Sequence, residues 1–140
     1  MGSFLPDHIR TVSIQPVSAE DGEIPLAIDA ESVLTEALRD TFVEDNSLRV
    51  ESSGDARLET RIVLYRLGEQ AGEAELEVRV DFEFLDRVAS QTLAQGTDLT
   101  ARTKYERSQD SSDYSAEAEA FVELSRQLAQ QILERTIEGW

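Results

Sequence analysis

Two long segments in the middle of the chain alternate apolar and polar residues at every second position, the pattern of a half-buried β-strand. One face of the first segment carries Leu58, Thr60, Ile62 and Leu64. The matching face of the second carries Ala74, Leu76, Val78, Val80, Phe82 and Phe84. The opposite faces are largely charged. The pattern therefore predicts two antiparallel strands that are covered on one side only.

The charges on the polar faces predict how these two strands pair. If Leu67 lies opposite Ala71, residues 68–70 form the loop and opposite charges face each other. The resulting pairs are Arg61 with Glu77, Glu59 with Arg79, and Arg57 with Asp81. A shift of two residues brings like charges together, which costs roughly a few tenths of a kcal/mol per pair. We therefore predict the first register.

The remaining strands are shorter or less regular. Residues 9–17 alternate and end near Pro16, which predicts a first strand, with a loop over residues 18–26. Residues 48–50 predict a short strand, and residues 91–105 a third long one. The inward positions expected in that long strand are Leu93, Leu99, Ala101 and Tyr105. Gly96 in its middle indicates a bulge or a close approach of another group.

Helical periodicity marks two further segments. Residues 30–44 carry apolar residues three and four apart, with Asp29 as a predicted N-cap and Glu31 in the first turn. A longer helix is predicted from Ser115 onward, and its apolar stripe is broad. The members of that stripe are Ala118, Phe121, Val122, Leu124, Leu128, Ala129, Ile132, Leu133 and Ile137.

These elements predict an α+β fold. Two amphipathic helices pack on one face of a mostly antiparallel sheet of four to five strands, in the order β-α-β-β-β-β-α. At 140 residues the chain fits one domain. We assign residues 9–140 to that domain and residues 1–8 to an N-terminal segment.

Composition limits the classes of function. The formal net charge of −16 argues against binding to nucleic acid or to an anionic membrane surface, because both need clustered cations. The sequence has no cysteine, so it offers neither disulfides nor thiolate ligands. Lys104 is the only lysine among 13 Lys and Arg residues. Many carboxylates with little lysine suit a protein that works at high salt, so a halophilic source is one hypothesis.

No arrangement typical of an enzyme is visible. His8 is the only histidine, and it has no partner groups in the sequence pattern. Glu73, Glu75 and Glu77 lie two apart on one strand face, but interleaved arginines indicate a solvated charge ladder. Residues 110–113 lack the glycine and terminal glutamate of a calcium loop. We predict neither catalysis nor a metal or other cofactor.

Taken in order, several segments resemble the LptE family of lipopolysaccharide-assembly lipoproteins. The segments that carry the resemblance are residues 5–17 (LPDHIRTVSIQPV), 34–38 (LTEAL) with Phe42, 45–50 (DNSLRV), Asp55–Ala56, 62–65 (IVLY) and 128–140 (LAQQILERTIEGW). Each is a plausible strand or helix in any protein, and their joint order carries the resemblance.

The resemblance implies a non-enzymatic lipoprotein on the periplasmic face of the outer membrane. Its acylated cysteine would precede residue 1, so that residues 1–8 follow a removed lipobox region. The domain would plug an LptD-type β-barrel, help it assemble, and support insertion of lipopolysaccharide into the outer leaflet. A free-standing periplasmic carrier of lipid or peptide is the alternative from another class.

Two sets of surface residues are candidates for these contacts. Candidates for contact with lipopolysaccharide are Arg66, Arg102, Lys104 and Arg107. The alternative is that these cations only offset neighbouring carboxylates. Candidates for the partner surface are Arg57, Glu59, Arg61, Glu77, Arg79 and Asp81.

Overall fold

A computed structural model describes residues 5–20, 22–107, 110 and 112–137. Residues 1–4 of the predicted N-terminal segment and residues 138–140 of the predicted domain lie outside this part of the chain. This part of the chain contains six strands, two α-helices and a short 3-10 helix (Leu26–Ile28). In chain order the strands and α-helices are β1 (Thr11–Ile14), β2 (Ser18–Ala19), α1 (Ala30–Asp45), β3 (Arg49–Val50), β4 (Ala56–Gln70), β5 (Glu73–Asp86), β6 (Gln91–Glu106) and α2 (Ser115–Ile137).

The strands form one mixed sheet in the order β3-β1-β4-β5-β6, with β2 beside β4. β4, β5 and β6 make an antiparallel meander, whereas β1 runs parallel to both β3 and β4. The α+β class and the element order are confirmed. The prediction of a loop over residues 18–26 is wrong for its first two residues. Ser18 and Ala19 pair with β4, and the next amide, of Glu20, donates to the carbonyl of Ile62 at 2.9 Å.

Both helices pack on the same face of the sheet and supply the core. The fully buried side chains of the helices include Leu34, Leu38, Phe42, Phe121, Leu124, Leu128 and Ile132. All six predicted inward residues of β5 are buried.

Asp29 occupies the N-cap position, but its φ is 53° and its side chain makes no capping hydrogen bond. Val122 lies at the edge of the apolar stripe and is 36% exposed, so its predicted burial is wrong.

The predicted register between β4 and β5 is wrong. Arg61 lies opposite Asp81, Glu59 opposite Glu83, and Arg57 opposite Leu85. The hairpin closes through only two residues, Ala71 and Gly72, with φ of 51° and 84°. Left-handed conformations at both central residues match the twist of the flanking strands and form a tight turn. Turn geometry therefore determines the register, and it leaves one like-charge pair, Glu59 with Glu83, across the strands.

A β-bulge between Ile62 and Leu64 reverses the faces of the upper half of β4. Beyond it, Tyr65 points into the core and is 8% exposed, whereas Leu64, predicted inward, is only half-buried. The Tyr65 hydroxyl donates to the buried carboxylate of Glu117 at 2.5 Å, and its ring lies 5.9 Å from that of Phe121. Burial and this hydrogen bond raise the pKa of Tyr65. The bulge thus attaches the first turns of α2 to the sheet.

Gly96 lies at a second irregularity, opposite Phe82 and next to a register shift in the β5–β6 pairing. A Cβ at Gly96 would come within 2.6 Å of Cε1 of Phe82. The predicted bulge and the predicted close approach are therefore both confirmed. In the same strand Leu99 and Ala101 are buried, while Leu93 and Tyr105 are half-buried.

The carboxylates of Asp86 and Asp55 hold the beginning of the chain against the sheet. We call their contacts with His8, Arg10 and Thr11 the N-terminal clamp. Asp86 accepts the amides of Val88 and Ala89 at 2.9 Å and lies 2.6 Å from Nε2 of His8. Asp55 accepts the amides of Arg10 and Thr11. Burial raises the pKa of Asp86, but the hydrogen bonds from Ala89 and His8 outweigh it, so the pKa lies below its ordinary value. His8 is thus a structural residue at this clamp.

We expect Gly96→Ala to destabilise the fold by about 1–3 kcal/mol, because the new methyl group overlaps the buried ring of Phe82. Urea unfolding measures the effect. Gly22→Ala is the matched control, because nothing lies within 4 Å of a Cβ at Gly22. Equal midpoints for the two variants would show that β6 moves away from Phe82 at no cost.

We expect the contacts of Asp86 to make the stability of the fold depend on pH in the acid range. Its pKa is lower in the folded protein, so its stabilising effect is complete above the unfolded aspartate value of about 3.9 and is lost as the pH falls through the folded value. Thermal unfolding at several pH values should show Asp86→Asn less stable than the parent at neutral pH, with the difference shrinking in acid. Asp40→Asn, on the exposed side of α1, is the control. A difference that stays constant with pH would contradict this account.

Candidate functional site

The face of the meander that points away from the helices is the open face. It carries six of the 13 cationic residues: Arg57, Arg61, Arg66, Arg79, Arg102 and Lys104. By contrast, α1 contains five carboxylates and one arginine, Arg39. Cations are thus concentrated on this face, where they alternate with the carboxylates Glu59, Glu75, Glu77, Asp81 and Glu83.

Three arginines of the open face surround a single carboxylate. Arg66, Glu77 and Arg102 lie in one row across β4, β5 and β6, because each is the register partner of the next. Arg79 joins them from two residues further along β5. Its Nη2 lies 2.8 Å from Oε2 of Glu77, and Nη2 of Arg102 lies 3.6 Å from the same oxygen. We call Arg66, Arg79, Arg102 and Glu77 the arginine cluster.

Glu77 is nearly covered by these neighbours, with 10% of its side chain exposed. Burial alone raises the pKa of a carboxyl group, but the hydrogen bond from Arg79 and the charges of Arg102 and Arg79 outweigh it. The pKa of Glu77 therefore lies below its ordinary value, and the group is a carboxylate at neutral pH. The cluster is a buried anion enclosed by an excess of cations.

The other two candidate cations lie further from this centre. Lys104 is in the adjacent row, opposite Glu75. Arg107 lies past the end of β6, where its side chain is 3.0 Å from the carboxylate of Glu69 and its amide donates to the carbonyl of Gly72. The structure thus brings Arg66 and Arg102 together, places Lys104 beside them, and leaves Arg107 at the hairpin end.

The predicted partner residues also lie on the open face, but their pairing differs from the prediction. Arg61 is 2.9 Å from Asp81 and 3.2 Å from Glu20. Arg57 pairs along its own strand with Glu59 at 2.9 Å. Sequence reasoning placed Arg79 and Glu77 in this ladder and did not identify them as the centre of the cluster. Only the bulge aligns them with Arg66, and no residue near Val63 signals a bulge.

The surface grooves among the described residues include three with volumes near those of small-ligand sites. The first, about 760 Å³, runs between α1 and α2 and is lined by Val33, Ala37 and Val122 together with acidic residues including Glu36 and Asp40. The second, about 650 Å³, lies between the N-terminal segment and the turn after α1. The third, about 480 Å³, lies beside Lys104 and the hairpin loop. All three combine apolar and charged lining.

The described residues show neither a metal-binding cluster nor a membrane-spanning helix. No group of three or more His, Asp or Glu residues there is arranged to hold a metal ion. Neither helix of that part combines the length and the apolar character that a membrane-crossing segment needs.

Comparison with solved structures shows a shared fold. A minor lipoprotein from Acinetobacter baumannii is 18% identical, with a TM-score of 0.62 over 94% of this chain and 92% of that one. The PelC dodecamer from Paraburkholderia phytofirmans is 12% identical, with a TM-score of 0.62 over 98% and 96%. Lipoprotein GNA1162 from Neisseria meningitidis is 11% identical, with a TM-score of 0.54 over 89% and 99%. No curated protein matches the sequence.

The sequence itself matches one family model, described as LptE, lipopolysaccharide-assembly, over residues 9–136. The match includes β1, α1, the whole meander and α2 up to Thr136, so it spans every element that builds the open face. That family is one of assembly lipoproteins and not of enzymes. The chain belongs to the LptE family of lipopolysaccharide-assembly proteins.

Proposed function

We propose that this chain is the outer-membrane lipoprotein that plugs an LptD-type β-barrel, helps it assemble, and supports insertion of lipopolysaccharide into the outer leaflet. The match to the LptE family over residues 9–136 is the observation that carries this proposal. A plug acts through its shape and its outward faces, so its activity depends on surfaces and not on a catalytic centre.

The open face is the surface that we assign to the barrel. Its ladder consists of Arg57, Glu59, Arg61, Glu77, Arg79 and Asp81. The side chain of Arg61 is about half-exposed in its ion pairs with Glu20 and Asp81. Half-exposed ion pairs contribute little to folding stability and can be exchanged for pairs with a partner. The ladder can therefore align a partner and select it by charge, at little cost in folding stability.

Arg66, Arg102, Lys104 and Arg107 are the proposed contacts for lipopolysaccharide, which is anionic. They lie at the hairpin end of the sheet, around the rows that contain Glu75 and Glu77. This placement separates them from the lower part of the ladder, where Arg57 and Arg61 lie. One face could therefore contact the barrel at one end and lipid at the other.

The position of the lipid anchor follows from the N-terminal clamp. His8 is held by Asp86, and the amide of Arg10 is held by Asp55, at the end of the sheet opposite to the hairpin loop. An acylated cysteine that precedes residue 1 would connect to the body at this end. The proposed location is the periplasmic face of the outer membrane, with the lipopolysaccharide contacts at the far end of the sheet.

A carrier of lipid or peptide is the alternative function. A carrier needs a deep and mainly apolar pocket. The largest of the grooves described above, between α1 and α2, has the charged residues Asp29, Glu36, Asp40, Glu44 and Arg126 in its lining. No groove of the described residues favours the carrier specifically.

We expect a large β-barrel to co-purify with the full-length lipidated protein from outer membranes. Reversal of two ladder charges, Arg57→Glu with Arg61→Glu, should reduce recovery at least several-fold, because like charges across an interface are repulsive. Arg39→Glu on the exposed side of α1 is the matched control and should leave recovery unchanged. Quantitative mass spectrometry of the eluate measures the effect.

Two results would contradict the proposal. Recovery of the protein with no barrel partner would oppose the plug function, and a bound lipid or peptide in that preparation would support the carrier. Equal loss of the barrel with the Arg39 variant and the double variant would show that the ladder is not the contact surface. Unfolding temperatures of all variants must match for either comparison to count.

A further inference from the structure

β6 forms one edge of the sheet, because it pairs with β5 on one side and, in the described part of the chain, with no strand on the other. It is 16 residues long, whereas β3 at the opposite edge has two. The free N–H and C=O groups of a long edge strand can pair with another chain, and natural sheets usually shorten or cover such edges. β6 is therefore the edge at which a further strand can add to this sheet.

The two halves of β6 differ in regularity. Both register shifts of its pairing with β5 lie before Leu99, and Asp98 has a φ of 54°. Irregularities of this kind twist an edge strand and interrupt its row of backbone groups. Residues 99–106, in contrast, pair with residues 73–80 in one unbroken register. The second half of β6 therefore presents a regular row of backbone groups.

The direction of these backbone groups follows from one hydrogen bond. The amide of Arg107, which continues the register, donates to the carbonyl of Gly72 at 3.2 Å. Residues of an antiparallel strand alternate between exchanging both hydrogen bonds with the neighbouring strand and exchanging neither. Residues 101, 103 and 105 therefore bond to β5. The N–H and C=O groups of Arg102 and Lys104 point away from β5, toward the open edge.

Gln131 of α2 supports this direction and shows where the edge is closed. Its Nε2 donates to the carbonyl of Thr100 at 3.2 Å, and Thr100 is in phase with Arg102. Thr100 is half-buried, whereas Arg102, Lys104 and Glu106 are exposed. A side chain thus satisfies the edge at Thr100, and the outward backbone groups of residues 102–106 lie beyond it.

The exposed side chains of this row select the charge of a partner strand. Arg102 and Lys104 lie on the open face, and residues directly opposite them in an added strand would share that face. A second copy paired antiparallel about Thr103 would place Arg102 opposite Lys104, and each copy has a net charge of −16. Both repulsions oppose self-pairing. Carboxylates at alternate positions of another strand would instead compensate both cations.

We propose that an extended segment of another protein, with acidic side chains at alternate positions, adds to the sheet antiparallel to residues 102–106 of β6. Backbone hydrogen bonds give such a complex its affinity, and the alternate side chains give it specificity. The carboxylates of the segment lie opposite Arg102 and Lys104. The inference goes beyond the proposed function, which uses the side chains of the open face and not the backbone of an edge strand.

The first test uses a short synthetic peptide in which glutamate and valine alternate, and measures its binding to the full chain by fluorescence anisotropy. Because Arg102 and Lys104 point their backbone groups outward, the glutamates opposite them point their amides toward β6, whereas the valine amides point to solvent. Methylation of the glutamate amides should weaken binding roughly tenfold or more, because it removes the pairing hydrogen bonds. Methylation of the valine amides adds as many methyl groups at the same charge and should leave binding unchanged.

Three results with these peptides would overturn the proposal. Absence of binding by the unmethylated peptide would show that the edge does not accept a strand. Equal loss from the two methylated peptides, or a larger loss from the one methylated at valine, would contradict the antiparallel pairing. Equal binding by a peptide with lysine in place of glutamate would contradict the choice of an acidic partner.

A pair of variants at Lys104 tests the same edge from the side of the protein. Proline has no amide hydrogen and is tolerated where that amide does not bond within the sheet, so Lys104→Pro should fold. It should weaken binding of the unmethylated peptide roughly tenfold or more, whereas Lys104→Ala, which loses the charge alone, should weaken it about two- to threefold. Equal losses at matched unfolding temperatures would show that charge and not strand pairing holds the peptide. If Lys104→Pro does not fold, the methylated peptides decide the question on the parent chain.

Sedimentation of the chain alone separates an acidic partner from a second copy. We expect a monomer, because of the repulsions described above. A dimer that Lys104→Pro converts to a monomer would show that β6 pairs with itself, and it would overturn the assignment. These measurements use no barrel, so they can fail while barrel recovery succeeds, and the reverse also holds.

Discussion

The bulge between Ile62 and Leu64 is the constraint on which the rest of the structure depends. Side chains alternate along a strand with a period of two, so one extra residue moves every later side chain to the other face. Without it, Tyr65 would point to solvent and Arg66 into the core. With it, Tyr65 reaches Glu117 in the first turn of α2, and Arg66 aligns with Glu77 and Arg102. One backbone irregularity thus both positions a helix and brings the arginine cluster together.

Much of the architecture follows from periodicity. The start of α1 at Ala30, the start of α2 at Ser115 and the inward face of β5 are all where the pattern of apolar residues predicts them. These features depend on burial, and burial leaves a periodic signal in the sequence. The close approach at Gly96 could also be predicted, because a glycine inside a strand indicates a position where another group leaves no room for a side chain.

The features that sequence reasoning missed depend on backbone geometry. The register follows from a two-residue turn at Ala71 and Gly72, whose energy outweighs the charge pairs that predicted another alignment. Cross-strand pairs on an exposed face are worth only a fraction of a kcal/mol, so they do not determine register against a turn. The clamp of His8 on Asp86 joins residues 78 apart and leaves no local pattern. The arginine cluster was missed for the same reason, because the bulge creates it.

The two faces of this protein differ in the distribution of charge. The helices present an acidic surface, whereas the open face carries arginines in exposed ion pairs. Opposite charges across an interface provide specificity more readily than affinity. The contacts of the N-terminal segment and the arginine cluster lie toward opposite ends of one sheet.

The central claim is that the open face contacts the barrel, and photo-crosslinking in outer membranes tests it most directly. A photoreactive residue would replace Glu59 on the open face in one variant and Glu44 on α1 in another. The account predicts an adduct with a large β-barrel from position 59, in higher yield than from position 44. A barrel adduct from position 44 together with none from position 59 would contradict it.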